Sequence, residues 1–529
     1  MAFTPSLFRP AAYPKREHQE LNMKVGILEV LNLTTPTWKE KLYHSMISKQ
    51  LASVMPQAIA VWCRELGHQT YYKTYYGIGK IENAFPDDLD IIFISSSTIY
   101  SPIAYALGKL FRKAGIRTVF GGPHAKSYPA DCLRFFDLVV KECNKSLIAE
   151  ILRGEIQSGQ YISSSKPLGE VPTIEERAPE IRASAYFFNK WRSLITVIPT
   201  LTSTGCPYTC DFCADWDQPY KALPLDRFEK DIAYLADHFK GGVLSFWEPN
   251  FAVKFERLYK VMSTVPPALR VPYMFEASQG ILTPSRLEKM QETNHGYLLV
   301  GVESWSADLK KGGFQRGSSP QEKFDQTIKF FNGIQKYQLT MITSFIFGLD
   351  HDSGDEPVER IKEFIRQVPF TWALVNLPSP YGGTPLFDRM HEENRILNEM
   401  PFSFYRPPYL MMRIKNYSPR DYYMKLFEIS TVNSSDEALA RRMESIPKWN
   451  QRMFYRLLTM VESQVSSFYR DMVERLESDS SFRRFHEGKE EPLPEFYHQE
   501  YEKHVGRFAP LLSRADRRPN LEQIKPVSI

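Results

Sequence analysis

Long apolar runs are missing from this chain of 529 residues. Nothing in it approaches the ~18 uninterrupted apolar residues of a membrane span. No sign of charge dominates either. The 66 basic residues stand against 62 acidic ones, a net +4, which removes the electrostatic case for nucleic acid or an acidic membrane surface as partner. Cysteine is scarce, with six in the whole chain, too few for the disulfide framework of a secreted scaffold. A reducing cytoplasm is the expected location. The opening stretch MAFTPSLFRPAAYPKREHQE has no apolar signal core and reads, through residue 22, as a disordered polar leader. G-x-x-x-x-G-K-[ST] and H-E-x-x-H are also absent, so neither a nucleotide-binding P-loop nor a zinc-protease helix is indicated.

What is present is a concentration of thiols. Three of the six cysteines lie within eight residues, in Thr204-Gly205-Cys206-Pro207-Tyr208-Thr209-Cys210-Asp211-Phe212-Cys213. A [4Fe–4S] cluster normally takes four thiolates. Three close ones without a nearby fourth leave one iron open to a substrate or cofactor. The rival reading is a non-catalytic iron–sulfur or zinc protein. Structural zinc takes four ligands in a closed tetrahedron, and the neighbouring Asp211, Asp215 and Asp217 are unusual partners for three thiolates. Cys63, Cys132 and Cys143 show no C-x-x-C pairing and read as thiols packed in a core.

A chain of this length should hold two to four domains. Residues 23–153 alternate apolar runs such as Met23–Val30 and Asp90–Ser95 with amphipathic stretches. That pattern predicts a parallel, doubly wound (Rossmann-like) sheet covered on both faces. One helix is expected over 47–66, broken at Pro56. Residues 154–193 are polar and rich in Gly, Ser and Pro, and read as a linker. From 194 to 395 six strand–helix units follow, beginning with Ile195–Leu201. Eight would close a TIM barrel; six predict an open, partial (βα)6 barrel. The cysteines come directly after its first strand, at the carboxyl end where barrel chemistry sits. Residues 396–529 read as a mostly helical domain whose last stretch of about 15 residues frays.

The CxxxCxxC run at Cys206, Cys210 and Cys213, with Phe212 before the third cysteine, resembles the radical S-adenosylmethionine (SAM) superfamily. Further segments match in order. Ser245-Phe246-Trp247-Glu248-Pro249-Asn250-Phe251 is similar to an acidic D-x-N-F strand end, and Gly301-Val302-Glu303-Ser304 to a G-[IV]-E-S strand end. The resemblance implies that the open iron chelates SAM. Cluster reduction then cleaves SAM to a 5′-deoxyadenosyl radical that abstracts hydrogen from the substrate. It also implies SAM contacts from Phe212, Glu248, Glu303 and Ser304. Residues 23–153 resemble the cobalamin-binding domain of one subgroup, through Ile94-Ser95-Ser96-Ser97-Thr98 and Phe120-Gly121-Gly122-Pro123-His124-Ala125. Ser96, Thr98, Gly121, Gly122, Pro123 and His124 are then the expected corrin contacts. Where that subgroup carries D-x-V-V-x-G-E-G-E, this chain reads Asp137-Leu138-Val139-Val140-Lys141-Glu142-Cys143-Asn144-Lys145, without the glycines.

The combined expectation is an enzyme with a [4Fe–4S] cluster, SAM and cobalamin that methylates an unactivated carbon of a small-molecule or lipid substrate. Electrons would come from a reductant such as flavodoxin or ferredoxin. An oxidative cyclisation or rearrangement without methyl transfer is the alternative use of the same barrel.

Overall fold

Strands without a polar face must be covered on both sides, and that requirement shapes the first sheet. β1 (Lys24–Val30), β2 (Gln69–Tyr75), β3 (Ile91–Ser96), β4 (Arg117–Gly121), β5 (Leu138–Val140) and β6 (Gln160–Ser163) are parallel, in the order β6-β5-β4-β3-β1-β2. Helices Val54–Glu65, Ser101–Lys113 and Lys145–Leu152 alternate with them. Chain order reverses between β1 and β3. That reversal is a topological switch point, and doubly wound sheets take ligands in the crevice beside such a point.

The computed structural model describes residues 22–35, 37–187, 191–192, 196–239, 241–306, 319–489 and 492–529. Residues 1–21 of the expected leader, and 188–190 and 193 of the expected linker, lie outside the described residues. Two units emerge: one holds the described residues up to Gly169 together with Val505–Ile529, the other Glu170–His504.

Three sequence expectations change. Pro56 does not break its helix, because it sits in the first turn of Val54–Glu65, where the missing N–H has no partner to lose. The stretch read as a linker contains β6 and the helix Ala178–Ala185. The C-terminal residues are ordered instead of frayed. Val527–Ser528 pairs in parallel with β6, Asn520 N donates to Asp131 Oδ1 at 2.8 Å, and Arg134 donates to Ala515 O and Arg518 O. The chain end thus belongs to the first unit.

In the second unit β7 (Thr196–Thr200), β8 (Gly242–Phe246), β9 (Tyr273–Ser278), β10 (His295–Glu303), β11 (Thr340–Ile346) and β12 (Thr371–Asn376) are parallel and lie side by side in chain order. Ile195 of the expected first strand lies outside the described residues. A helix follows each strand: Leu225–His238, Phe255–Met262, Pro284–Glu292, Pro320–Ile334, Glu356–Gln367 and Pro385–Glu392. Side chains alternate across the sheet. Leu244, Phe275, Leu298, Val300, Met341 and Phe345 are buried on one face. Met274, Glu276, Leu299 and Ile342, on the other, keep some exposure. This is an open six-stranded barrel with an accessible inner wall.

The long helix Trp449–Ser478 braces that sheet. Tyr455 is fully buried; its hydroxyl accepts from Met341 N and donates to Met341 O, both at 2.9 Å. Replacing it with phenylalanine strands the Met341 N–H in a dry environment, at a cost of about 1–3 kcal/mol. Tyr455→Phe should show that loss in urea unfolding of the second unit. An unchanged midpoint would mean the hydroxyl does not join helix to sheet.

Candidate functional site

β7 ends at Thr200, and the chain turns at once into the cysteine segment. Ser203 and Thr204 pair antiparallel with Ala222 and Lys221, and Cys206 N donates to Gln218 O at 3.0 Å. The loop is therefore a hairpin closed at its base. Gly205 permits the closure: its φ is +67°, and a Cβ there would stand 2.3 Å from Pro219 O. Only glycine fits such a turn. Cys206, Cys210 and Cys213 are all partly exposed, and none is in a disulfide. Phe212 is half-buried between the last two.

The loop is held from both sides. Beyond β8, Glu248 accepts from Thr202 N and Thr202 Oγ1. It is 3% exposed, and burial pushes its carboxyl up to about 7. Asn250 directs Nδ2 at Cys206 Sγ, 3.8 Å away. On the other side Leu386 N donates to Asp211 O at 3.0 Å, Arg389 pairs with Asp211 at 3.0 Å and Asp350 at 3.3 Å, and Trp216 Nε1 donates to Gly383 O at 2.7 Å. The cysteine loop thus spans from the first strands of the barrel to the helix after the last.

Of the expected SAM contacts, Glu248 is buried beneath the cysteine loop. Its Oε1 accepts from Thr202, so the side chain anchors the loop from beneath. Glu303 closes β10 with φ +68° at a break in the β10–β11 register. The buried ammonium of Lys323 donates to Ser306 O at 3.1 Å. Burial lowers Lys323 to about 8, and the charge of Glu303 acts against that shift. Ser304 Oγ lies 2.6 Å from His351 Nε2, which ties the ends of β10 and β11 together.

At the crevice of the first unit, Ser96 Oγ donates to Ser97 O at 2.8 Å. Gly122 has φ +91°, and a Cβ there would lie 2.6 Å from Ser95 Oγ, so the β4 turn packs tightly on the end of β3. Pro123 starts the short helix Pro123–Ser127. Gly121 is different: a Cβ would meet nothing closer than Val140 O at 3.9 Å. The structure places His124 in the interior of the first unit. Fully buried, its ring lies 2.5 Å from Tyr105 Oη and 3.3 Å from Thr98 Oγ1. Burial lowers it to about 3, so it is neutral. Tyr105 in turn donates to Asp131 Oδ2 at 2.5 Å.

Both expected cofactors can be tested against these residues. Among the described residues no group of three His, Cys, Asp or Glu side chains converges on a single ion. The three thiolates of a cubane cluster bind three different irons and need no such convergence, so the loop fits a cluster better than a zinc ion. In the first unit, Thr35 Oγ1 in the loop after β1 and Ser97 Oγ in the loop after β3 are buried without a hydrogen-bond partner. These two hydroxyls in the loops after β1 and β3, with room for a Cβ at Gly121, fit a ligand rich in amide groups.

Asn250, Lys323, His351, Tyr105 and Asp131 are the groups that motif reading assigned no role. Asn250 stood inside a quoted motif. Lys323 and Tyr105 carry only helical spacing, and nothing local distinguishes them from surface or core residues.

Burial of Glu248 sets a pH signature. Its carboxyl titrates at about 7 in the folded chain, against an ordinary 4.5. Between those values the folded state holds a proton that the unfolded state has released, so this group's contribution to stability falls as pH rises. Relative to Glu248→Gln, the wild type should lose up to about 1.4 kcal/mol per pH unit across that window. Parallel urea curves for the two proteins at each pH would show that Glu248 does not titrate so high.

Residues 200–365 match the family model of the Radical SAM superfamily. A bacteriochlorophyllide d C-12(1)-methyltransferase of Chlorobaculum tepidum is 22% identical over 316 residues, which cover 58% of this chain and 67% of that protein. A bacteriochlorophyllide d C-8(2)-methyltransferase of the same organism is 20% identical over 71% of this chain and 84% of its own length. Among solved structures, the radical SAM methyltransferase TsrM of Kitasatospora setae, with tryptophan substrate and a SAM analogue bound, superposes with TM-score 0.53 at 12% identity, over 86% of this chain and 98% of that one. That likeness shows a shared fold.

Proposed function

We propose that this chain, which belongs to the radical SAM superfamily, is a cobalamin-dependent methyltransferase that acts on a carbon of a small organic or lipid substrate. One observation carries the reading: a three-thiol hairpin lies across the carboxyl end of an open six-stranded barrel, in a chain that also builds a doubly wound sheet with a switch-point crevice. The methyltransferase activity named for the bacteriochlorophyllide relatives, and the cobalamin and [4Fe–4S] cluster named for TsrM, support it. When bound, the cluster with SAM supplies a hydrogen-abstracting radical, and the corrin supplies the methyl group.

The chain's own residues bind, orient and exclude water. Cys206, Cys210 and Cys213 hold the cluster. Glu303 and Ser304 present acceptors at the barrel mouth for the ribose hydroxyls or amino group of SAM, with Lys323 and His351 fixing their positions. Phe212 lines the loop beside the cluster. Met274, Leu299 and Ile342 give the inner wall an apolar lining, which keeps water and rival hydrogen donors away. Ser96, Thr98, Gly121, Gly122 and Pro123 border the corrin crevice. His124 acts through Thr98. With Tyr105 donating to Asp131, neutral His124 donates from Nε2 and accepts at Nδ1. Thr98 must then donate inward, which leaves its oxygen as an acceptor for a ligand amide. A low-potential donor such as flavodoxin or ferredoxin is the expected electron source.

Anaerobic reconstitution with iron, sulfide and hydroxocobalamin tests the reading. With SAM and a reductant, wild type should form 5′-deoxyadenosine, and the Cys206→Ala, Cys210→Ala, Cys213→Ala triple variant should form none. Equal amounts from both would end the radical assignment. A substrate mass gain of one CH2 separates methylation from cyclisation. Gly121→Leu puts a bulky side chain where a Cβ alone fits and should abolish co-elution of the corrin while iron content stays at the wild-type level. Undiminished corrin binding in that variant would place the cofactor elsewhere.

A further inference from the structure

The amide of Asn250 is 1% exposed and held in one orientation. Ser278 N donates to its Oδ1 at 3.1 Å, which settles which end of the amide is oxygen. Nδ2 then carries two hydrogens toward two acceptors, Ser278 Oγ at 3.2 Å and Cys206 Sγ at 3.8 Å. The next residue locks the placement. Phe251 N donates to Glu276 O at 2.8 Å, and the Phe251 ring packs on Phe246 and Phe275 at centroid distances of 4.3 and 4.6 Å.

From this geometry we infer that Asn250 is a positioning residue that donates a hydrogen bond to the Cys206 thiolate and sets the reduction potential of the cluster. The inference rests on the cluster assignment above. One electron entering a [4Fe–4S] core takes it from the 2+ to the 1+ state without breaking a bond to the protein, and part of the added charge spreads onto the sulfurs. An N–H aimed at a ligand sulfur stabilises the more negative, reduced form and raises the potential. Burial strengthens that effect, because little water competes with the amide. The bond also orients the first of the three thiols, next to the tight turn at Gly205.

The test is a potentiometric titration of the reconstituted full-length protein with titanium(III) citrate, which gives up one electron per cluster and becomes titanium(IV). The reduced cluster is read by electron paramagnetic resonance, and iron and sulfide content are measured in parallel. Asn250→Asp keeps an acceptor for Ser278 N and loses the donor. It should load iron like wild type and shift the equilibrium about tenfold toward the oxidised cluster, a potential about 59 mV lower for a one-electron couple. Asn250→Ala should shift it the same way. Ser278→Ala removes only the neighbouring hydroxyl and should leave the potential near that of wild type. A loaded Asn250→Asp cluster with the wild-type potential overturns the inference. So does an equal shift in Ser278→Ala, which would assign the effect to loop packing, and so does failure of Asn250→Asp to load iron. Failure of the wild type itself to take up a cluster would instead remove the functional assignment.

Discussion

The second unit depends on keeping one short hairpin in place across a barrel mouth. Within residues 206–213 Cys213 N donates to Cys210 O at 3.0 Å, a local turn that does not by itself tie the segment to the barrel. The rigidity comes from outside: a buried carboxylate and an amide beyond β8, and an arginine–aspartate pair and an indole–carbonyl bond near the last helix. Each contact ties the hairpin to an element already fixed by the sheet. The position of the thiols therefore inherits the precision of the barrel, and this is what a cofactor site needs from the elements that support it.

The first unit solves a similar problem with a chain of hydrogen bonds. Asp131, Tyr105, His124 and Thr98 run in series from the interior to the turn after β3. Desolvation keeps His124 neutral, and a neutral imidazole has one donor and one acceptor, so the series has a direction. Buried polar networks of this kind are costly when incomplete. Here the members named are all engaged, while two unsatisfied hydroxyls, Thr35 and Ser97, are buried in the loops after β1 and β3.

Much of this was legible in the sequence, and the legible parts share a cause. The six strand–helix units expected between 194 and 395 stand where the apolar periodicity puts them, because burial of one face decides both. The cysteine spacing was readable because its chemistry is local. Glu248, His124 and Asn250 were harder. Each was visible as a residue in a motif, yet its role depends on which group from a distant strand or loop meets it: Thr202 for Glu248, Tyr105 for His124, Cys206 for Asn250. Such pairings span tens of residues and leave no periodic trace. The chain end was misjudged for the same reason. Val527–Ser528 is too short to announce a strand, and β6 supplies the register that makes it one.

That last pairing bears on the order in which the protein comes into being. A ribosome delivers residues from the amino end, and domains generally fold as they emerge. The first sheet is nearly complete once β6 has appeared, but its outer edge must wait for Val527–Ser528, some 360 residues later in the sequence. Throughout synthesis of the entire barrel, β6 presents an uncovered edge of the kind that invites pairing with other chains. During that interval the sheet is unsealed along β6, and the pairing that covers this edge forms only once Val527–Ser528 has emerged.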